Sequence, residues 1–216
     1  VLRQAGRLGL KALMESAELN PAWLTEAHIG FALGPRLNAL GRLSDANSSV
    51  ELLTTTDLSR ARVLAATLEG LNTRRQLLTS QVFQAAQAQL QADPALLDEP
   101  ALVLSHPAWP AGVIGIVASR LVERYNRPTV LIANPPGELA RGSARSIEGV
   151  NITAAIAQQK DLLANFGGHP MAAGLSLDPV NIPDFRRGLI NTIRQKGKEP
   201  QIENNLQIDG YLTLPE

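Results

Sequence analysis

The sequence holds no cysteine among its 216 residues, so it has neither a disulfide framework nor a thiol nucleophile. Aromatic residues make up only 4% of it, which implies an aliphatic, alanine-rich core and few rings on which bases could stack. An excess of either charge is also missing. Lys+Arg 20 against Asp+Glu 20 gives a formal net charge of +0, which argues against indiscriminate polyanion binding and confines any nucleic-acid contact to a local patch. No apolar run approaches membrane-spanning length, and residues 1–20 lack the uninterrupted apolar centre of a signal peptide, so the expected setting is cytoplasmic, without membrane contact. His28, His106 and His169 are far apart, and none stands at metal-ligand spacing from another. The aspartates sit mostly beside turn residues, as caps and solvated loop positions, so no metal site is expected in the chain.

What the sequence has is enough apolar residue, 44%, for one or two folded domains. Leu2, Ala5, Leu8, Ala12 and Leu13 trace an amphipathic helix stopped by Asn20-Pro21, and Thr25 opens a shorter one that ends before Gly34. After a turn at 45–49, Asp57 caps a long helix in which Val63, Leu64, Leu68, Leu71, Leu78, Val82 and Ala86 recur at three and four residues, as far as about Gln91. Its other face carries Arg60, Arg74 and Arg75, as suits a connector lying across two bodies. Beyond Asp93-Pro94 the period changes to short β-branched runs between helical patterns. Strands are expected at 101–105 and 129–133 around a helix at 111–125, as a right-handed βαβ crossover. Pro135-Pro136-Gly137 then turns into a strand bearing Ser143 and Arg145. Asn151 or Thr153 caps another helix, 173–177 forms a further strand, and a helix at 184–195 closes the unit. The fold class is α/β: an N-terminal helical segment and a long connector helix, followed by a mixed-sheet α/β domain.

Three tracts of small residues carry the chemistry. In the stretch from Asn165 to Gly174, glycines and alanines surround His169, and Gly167 and Gly168 can adopt positive φ and leave amides uncovered for a phosphate. A helix-ending glycine turn, with His169 making a local hydrogen bond, fits the same residues equally well. In Arg141-Gly142-Ser143-Ala144-Arg145-Ser146, an extended backbone puts Ser143 and Arg145 on one face and Gly142, Ala144 and Ser146 on the other. That arrangement suits an oxyanion grip, with Arg145 as a bidentate phosphate clamp and Ser143 and Ser146 as oriented hydroxyls, or an edge strand whose arginines are solvated. Both tracts are expected to flank the first βα junction, where Gly112 and Gly115 leave helix N-terminal amides open. In Gly34-Pro35-Arg36-Leu37-Asn38-Ala39-Leu40-Gly41-Arg42, helix capping explains Gly34 and Pro35 but not Arg36, Asn38 and Arg42. Trp109 is the best exposed aromatic candidate for stacking, although core packing suits it better.

In this order the tracts resemble the RecJ-type single-stranded-DNA exonucleases of the DHH phosphoesterase superfamily, in the part that follows the catalytic DHH domain. Gly-Ser-Ala-Arg-Ser at 142–146 and Gly-Gly-His-Pro-Met-Ala-Ala-Gly at 167–174 look like the two signatures of the DHHA1 domain, and 109–121 is similar to its opening helix. The likeness covers nearly the whole chain. It implies a helical tail of the DHH domain at 1–56, a connector at 57–93, a DHHA1 domain at 94–200 and the entry to an OB-like segment at 201–216. Leu40 stands where the family pattern suggests a small residue. The Asp-His-His triplet and its metal-binding aspartates are missing, so the resemblance implies a fragment with little hydrolysis of its own. Divalent Mn or Mg would then be bound outside this chain, in a DHH domain acting in cis.

The same likeness implies that His169 lies against the reactive phosphate and supports the transition state, although from the residues alone it is equally a positioning donor. Arg36, Asn38, Arg42, Gly142, Ser143, Arg145, Ser146, Gly167 and Gly168 would bind substrate. The implied activity is 5′ to 3′ digestion of single-stranded DNA in recombination and repair. Two alternatives use the same residues: the DHHA1 domain of an oligoribonuclease or nucleoside-bisphosphate phosphatase, and a non-enzymatic α/β binding module.

Overall fold

The computed structural model describes residues 6–195. The start of the first predicted helix and the expected OB-like entry at 201–216 lie outside the described residues. Helix α1 spans Leu8–Ser16, and after a 3-10 turn at Pro21–Trp23 the chain forms α2, Glu26–His28. The helix opened by Thr25 does not stop at Gly34. It passes through a π-helical turn at Ile29–Leu33 into α3, Gly34–Leu43. Pro35 lacks an N–H and its ring would collide with the carbonyl one turn back. The widened turn, in which the Gly34 N–H donates to the Ile29 carbonyl, accommodates it without breaking the helix. The expected turn at 45–49 holds only around Asp45, whose carboxylate accepts the Asn47 N–H at 3.0 Å; α4, Asn47–Thr54, begins there.

Helix α5 runs from Leu58 to Ala92, and Asp57 caps it by accepting the Ser59 and Arg60 N–H groups at 2.8 and 3.3 Å. Leu64 and Leu68 pack with α1, α3 and α4, whereas Val82, Ala86 and Leu90 pack with the α/β unit. The offset from Leu64 to Val82 is about five helical turns, so a single straight face serves both cores. Val63, expected on that face, is 58% exposed because Leu64 takes the inward position beside it.

The α/β unit is a five-stranded mixed sheet in the order β1-β2-β3-β5-β4. The strands are β1 Leu102–His106, β2 Thr129–Ala133, β3 Ala140–Arg145, β4 Asn165–His169 and β5 Ala172–Leu177. β1 and β2 are parallel and the remaining pairs antiparallel. Helix α6, Ala111–Tyr125, joins the parallel pair and ends at Asn126 in the left-handed region, φ 49°. It packs with α5 on one face of the sheet; α7, Ile152–Ala157, and α8, Ile182–Gln195, cover the other. Asn151, of the two expected caps, accepts the Ala154 N–H at 3.0 Å.

The glycine-rich stretch around His169 is an edge strand, β4, and a two-residue turn, where a loop was expected. Its glycines permit close pairing with β5. At Gly168, φ is 153° and a Cβ would lie 2.3 Å from the Ala172 carbonyl oxygen. Gly167 is not among the positive-φ glycines of the described residues.

Candidate functional site

Strand alternation decides what each side chain of β3 and β5 faces. Ala140 and Ala144, with Ala173, Leu175 and Leu177, enter the core under α7 and α8. The intervening residues face α6. Pairing register then assembles three cross-strand rows on that face: Arg141, Ser176 and Asn165; Ser143, Gly174 and Gly167; Arg145, Ala172 and His169. On this face the side chains of β5, the middle strand, are Ala172, Gly174 and Ser176, never larger than serine, so the rows form a trench with arginines on one bank and Asn165 and His169 on the other. Helix α6 crosses at Gly115, where a Cβ would come within 2.8 Å of Ser143 Oγ and 2.9 Å of Arg145 Nη2. Beyond it the sheet is uncovered and leaves a cleft of about 920 Å³.

Arg42 from the end of α3, Ala111 and Gly112 from the start of α6, Arg141 and Ser143 from β3, and Asn165 and Gly167 from β4 line this cleft. Arg42 and Arg141 are its charged groups, with no carboxylate among the described lining residues. Pro110 gives α6 no side-chain cap, and the Ala111 and Gly112 amides have no acceptor among the described residues, so the positive end of the helix opens on the cleft. Arg145 is half-buried, and its Nη1 donates to Ser143 Oγ at 3.1 Å and to the Ala144 carbonyl at 2.8 Å. Burial first, and the charge of Arg42 second, hold this guanidinium below its usual pKa. Among the described residues no acidic side chain pairs with it, so an incoming anion would meet an under-compensated cation.

Glycine has two distinct reasons in this site. Gly142 is small because a Cβ would sit 2.7 Å from Leu175, and Gly168 because of the hairpin. Gly167 and Gly174 have no such constraint: a Cβ on either would meet nothing within 4 Å. Packing leaves those two positions free to hold larger residues, and the space above them is the trench.

Among the residues expected in the site, the cleft lining includes Arg42, Gly142, Ser143 and Gly167. Arg145 and His169 flank it one row further on, opposite each other across Ala172. Four residues are not brought there. Gly168 pairs with Ala173 on the opposite face of the sheet and does not line the cleft. Arg36 is ion-paired with Glu69 of α5, its Nη2 donating at 3.2 Å, because α3 continues as a helix and turns this side chain toward the connector. Asn38 is exposed on α3 and does not line the cleft, and Ser146 is buried with its hydroxyl donating to the Val150 carbonyl at 2.6 Å. Trp109 is only 5% exposed and stacks with His106, so it offers no platform; Trp23, Phe31 and Phe166 are the more exposed rings. Arg141, Asn165, Gly174 and Ser176 were not expected. Period-two alternation from Ser143 points to Arg141, whereas the others become visible only through the β4–β5 register. Among the described residues no group of three or more His, Cys, Asp or Glu side chains could hold a metal ion.

Residues 98–195, which hold the five-stranded sheet and this trench, match the DHHA1 domain family. Over most of its length the chain is similar to RecJ-type single-stranded-DNA exonucleases. It is 40% identical over 216 residues to the single-stranded-DNA-specific exonuclease RecJ of Escherichia coli, covering 97% of this chain and 37% of that protein. Against RecJ of Bacillus subtilis it is 40% identical over 189 residues, 87% of this chain and 24% of the relative. The crystal structure of RecJ in complex with Mg2+ from Thermus thermophilus superposes with a TM-score of 0.81 at 32% identity, over 92% of this chain and 30% of that one. A crystal structure of RecJ bound to manganese gives a TM-score of 0.80 at 31% identity, over 94% and 49%. The chain thus spans less than two fifths of the length of these curated relatives.

Proposed function

We propose that the cleft binds the phosphate backbone of single-stranded DNA, and that this chain is the substrate-holding part of a cytoplasmic RecJ-like 5′ to 3′ exonuclease acting in recombination and repair. The observation that carries this is the pair Gly167 and Gly174, bare of any packing constraint, beneath two arginines and an open helix N-terminus. Phosphate oxygens can approach peptide groups only where no side chain intervenes, and the adjacent guanidinium forks and Ser143 hydroxyl supply directional donors. Because these partners address the backbone, binding is tolerant of base sequence.

In the proposed division of the chain, residues 1–56 pack as the tail of a DHH domain, 57–93 connect, 94–200 hold substrate and 201–216 lead into an OB-like segment. Mg or Mn, the ions held in the RecJ structures, would be bound by that DHH domain and would activate the attacking water. The residues of this chain orient the phosphodiester. Arg145 and Ser143 hold one phosphate, Arg42 and the α6 amides face another, and the His169 imidazole, exposed at the trench edge, donates a proton toward the phosphate that carries the developing charge.

His169→Ala in the whole exonuclease tests this role. Turnover on 5′-phosphorylated single-stranded DNA is expected to fall by about 10²-fold with KM nearly unchanged, the signature of a contact made in the transition state. Wild-type turnover, or a change in KM alone, would remove His169 from the reaction.

A further inference from the structure

One cross-strand row of the trench has no part in the contacts proposed above. Ala133 of β2, Arg141 of β3, Ser176 of β5 and Asn165 of β4 stand opposite one another on the α6 face of the sheet. The side chains of Arg141, Ser176 and Asn165 all line the cleft. Among the described residues none of the three makes a side-chain hydrogen bond or ion pair, so their donors and acceptors are free for a ligand. A second cavity, of about 320 Å³, lies on the Ala133 side of Arg141. It shares Ala111, Leu139 and Arg141 with the cleft, and Pro135 and Glu138 of the β2–β3 connection add to its walls. Arg141 therefore divides two adjoining cavities, and Leu139, 51% exposed, stands at the same boundary.

We propose that this row and the side cavity form a nucleotide subsite. Arg141, with Ser176 and Asn165, holds the sugar–phosphate one step along the strand from the phosphate gripped by Arg145 and Ser143, and the base turns past Arg141 into the side cavity. The proposal rests on the trench binding a nucleic-acid backbone. Rows two residues apart on a strand are separated by about 6.8 Å, a distance that one extended nucleotide spans. The side cavity suits the uncharged part of that nucleotide. Glu138 repels a phosphate there, Pro135 and Leu139 offer apolar surface, and the volume admits a purine or a pyrimidine. With walls that are mostly apolar, the subsite senses the presence of a base more than its identity.

The test takes a 5′-phosphorylated oligothymidylate of about four nucleotides, replaces one base at a time by an abasic site, and measures binding to this chain at two salt concentrations. In wild type, one position is expected to lose affinity by about fivefold or more with no change in salt slope, and the others by less than about twofold. Arg141→Ala is expected to weaken binding of the intact strand about three- to tenfold and to reduce its slope by about 0.7. Leu139→Ala, which removes only apolar wall, should shrink the penalty at the sensitive position and leave the slope at its wild-type value. Both side chains are exposed, so either variant should melt within about two degrees of wild type. The scan on wild type depends on neither variant. No single sensitive position, a sensitive position indifferent to Leu139→Ala, or wild-type affinity and slope in Arg141→Ala overturns the subsite, and the trench still stands if Arg145→Ala loses affinity. If wild type does not bind the intact strand, the trench reading fails, and the subsite with it.

Discussion

Arg145→Ala is expected to weaken binding of 5′-phosphorylated single-stranded DNA by roughly 10- to 150-fold, the equivalent of about 1.5–3 kcal/mol for charge-assisted hydrogen bonds to a phosphate. Arg145 is half-buried, anchored by Ser143 Oγ and the Ala144 carbonyl, and has no carboxylate partner among the described residues. Its planar fork is thus presented ready-made. Arg145→Lys should not restore affinity, because an ammonium cannot bond to Ser143 and also grip a phosphate through two parallel donors. Stability should change little: the loss of a bond to the Ala144 carbonyl is offset by relief of repulsion from Arg42. A titration at low and moderate salt checks this, with a slope reduced by about 0.7 for the lost phosphate contact. Affinity and slope equal to wild type would show that Arg145 is no part of the interface.

Gly112→Ala should act on the fold. A Cβ at this position would lie 1.9 Å from the Arg42 carbonyl oxygen and 2.8 Å from its carbon, so backbone would collide with backbone and the ends of α3 and α6 would have to separate. Overpacking of this kind costs about 3 kcal/mol, which lowers the melting midpoint by roughly 6–12 °C in a chain of this size. Arg42, whose Nη1 donates to the Gly112 carbonyl at 3.3 Å, would leave the cleft wall, so DNA binding should fall too. Thermal melting followed by circular dichroism is the check. A midpoint within a degree or so of wild type would mean that the two helix ends are not in obligatory contact. Gly115 provides the contrast, since a Cβ there would meet only the ends of two side chains, which can swing aside.

The elements with strong local signals were legible in the sequence. Asp57 and the three-and-four spacing that follows it mark α5 nearly to its last residue, and the apolar runs bracket α6 and β2 at their observed limits. The failures have identifiable causes. Gly34-Pro35 reads locally as a helix stop, but one π-helical turn removes the clash that makes proline a breaker. Gly167 and Gly168 have low strand propensity, and β4 exists because β5 supplies its partner groups, a tertiary effect that local preference does not contain. The same limit governs the site. Ser143 and Arg145 share a face by alternation alone, whereas Asn165, Gly174 and Ser176 join them only through hairpin register. Arg36 was misplaced for a related reason: the helix was expected to end before Gly34, and because it continues it presents that arginine to Glu69.

Gly174→Val, measured for melting and DNA affinity on one preparation, separates a trench kept empty for a ligand from one left empty by chance. Its Cβ would meet nothing within 4 Å, and valine is a better strand former than glycine, so the melting midpoint should stay level or rise by a few degrees. The branched side chain would fill the space between Ser143 and Gly167, and affinity for 5′-phosphorylated single-stranded DNA should fall about tenfold or more. Wild-type affinity in a stably folded Gly174→Val protein would contradict the account.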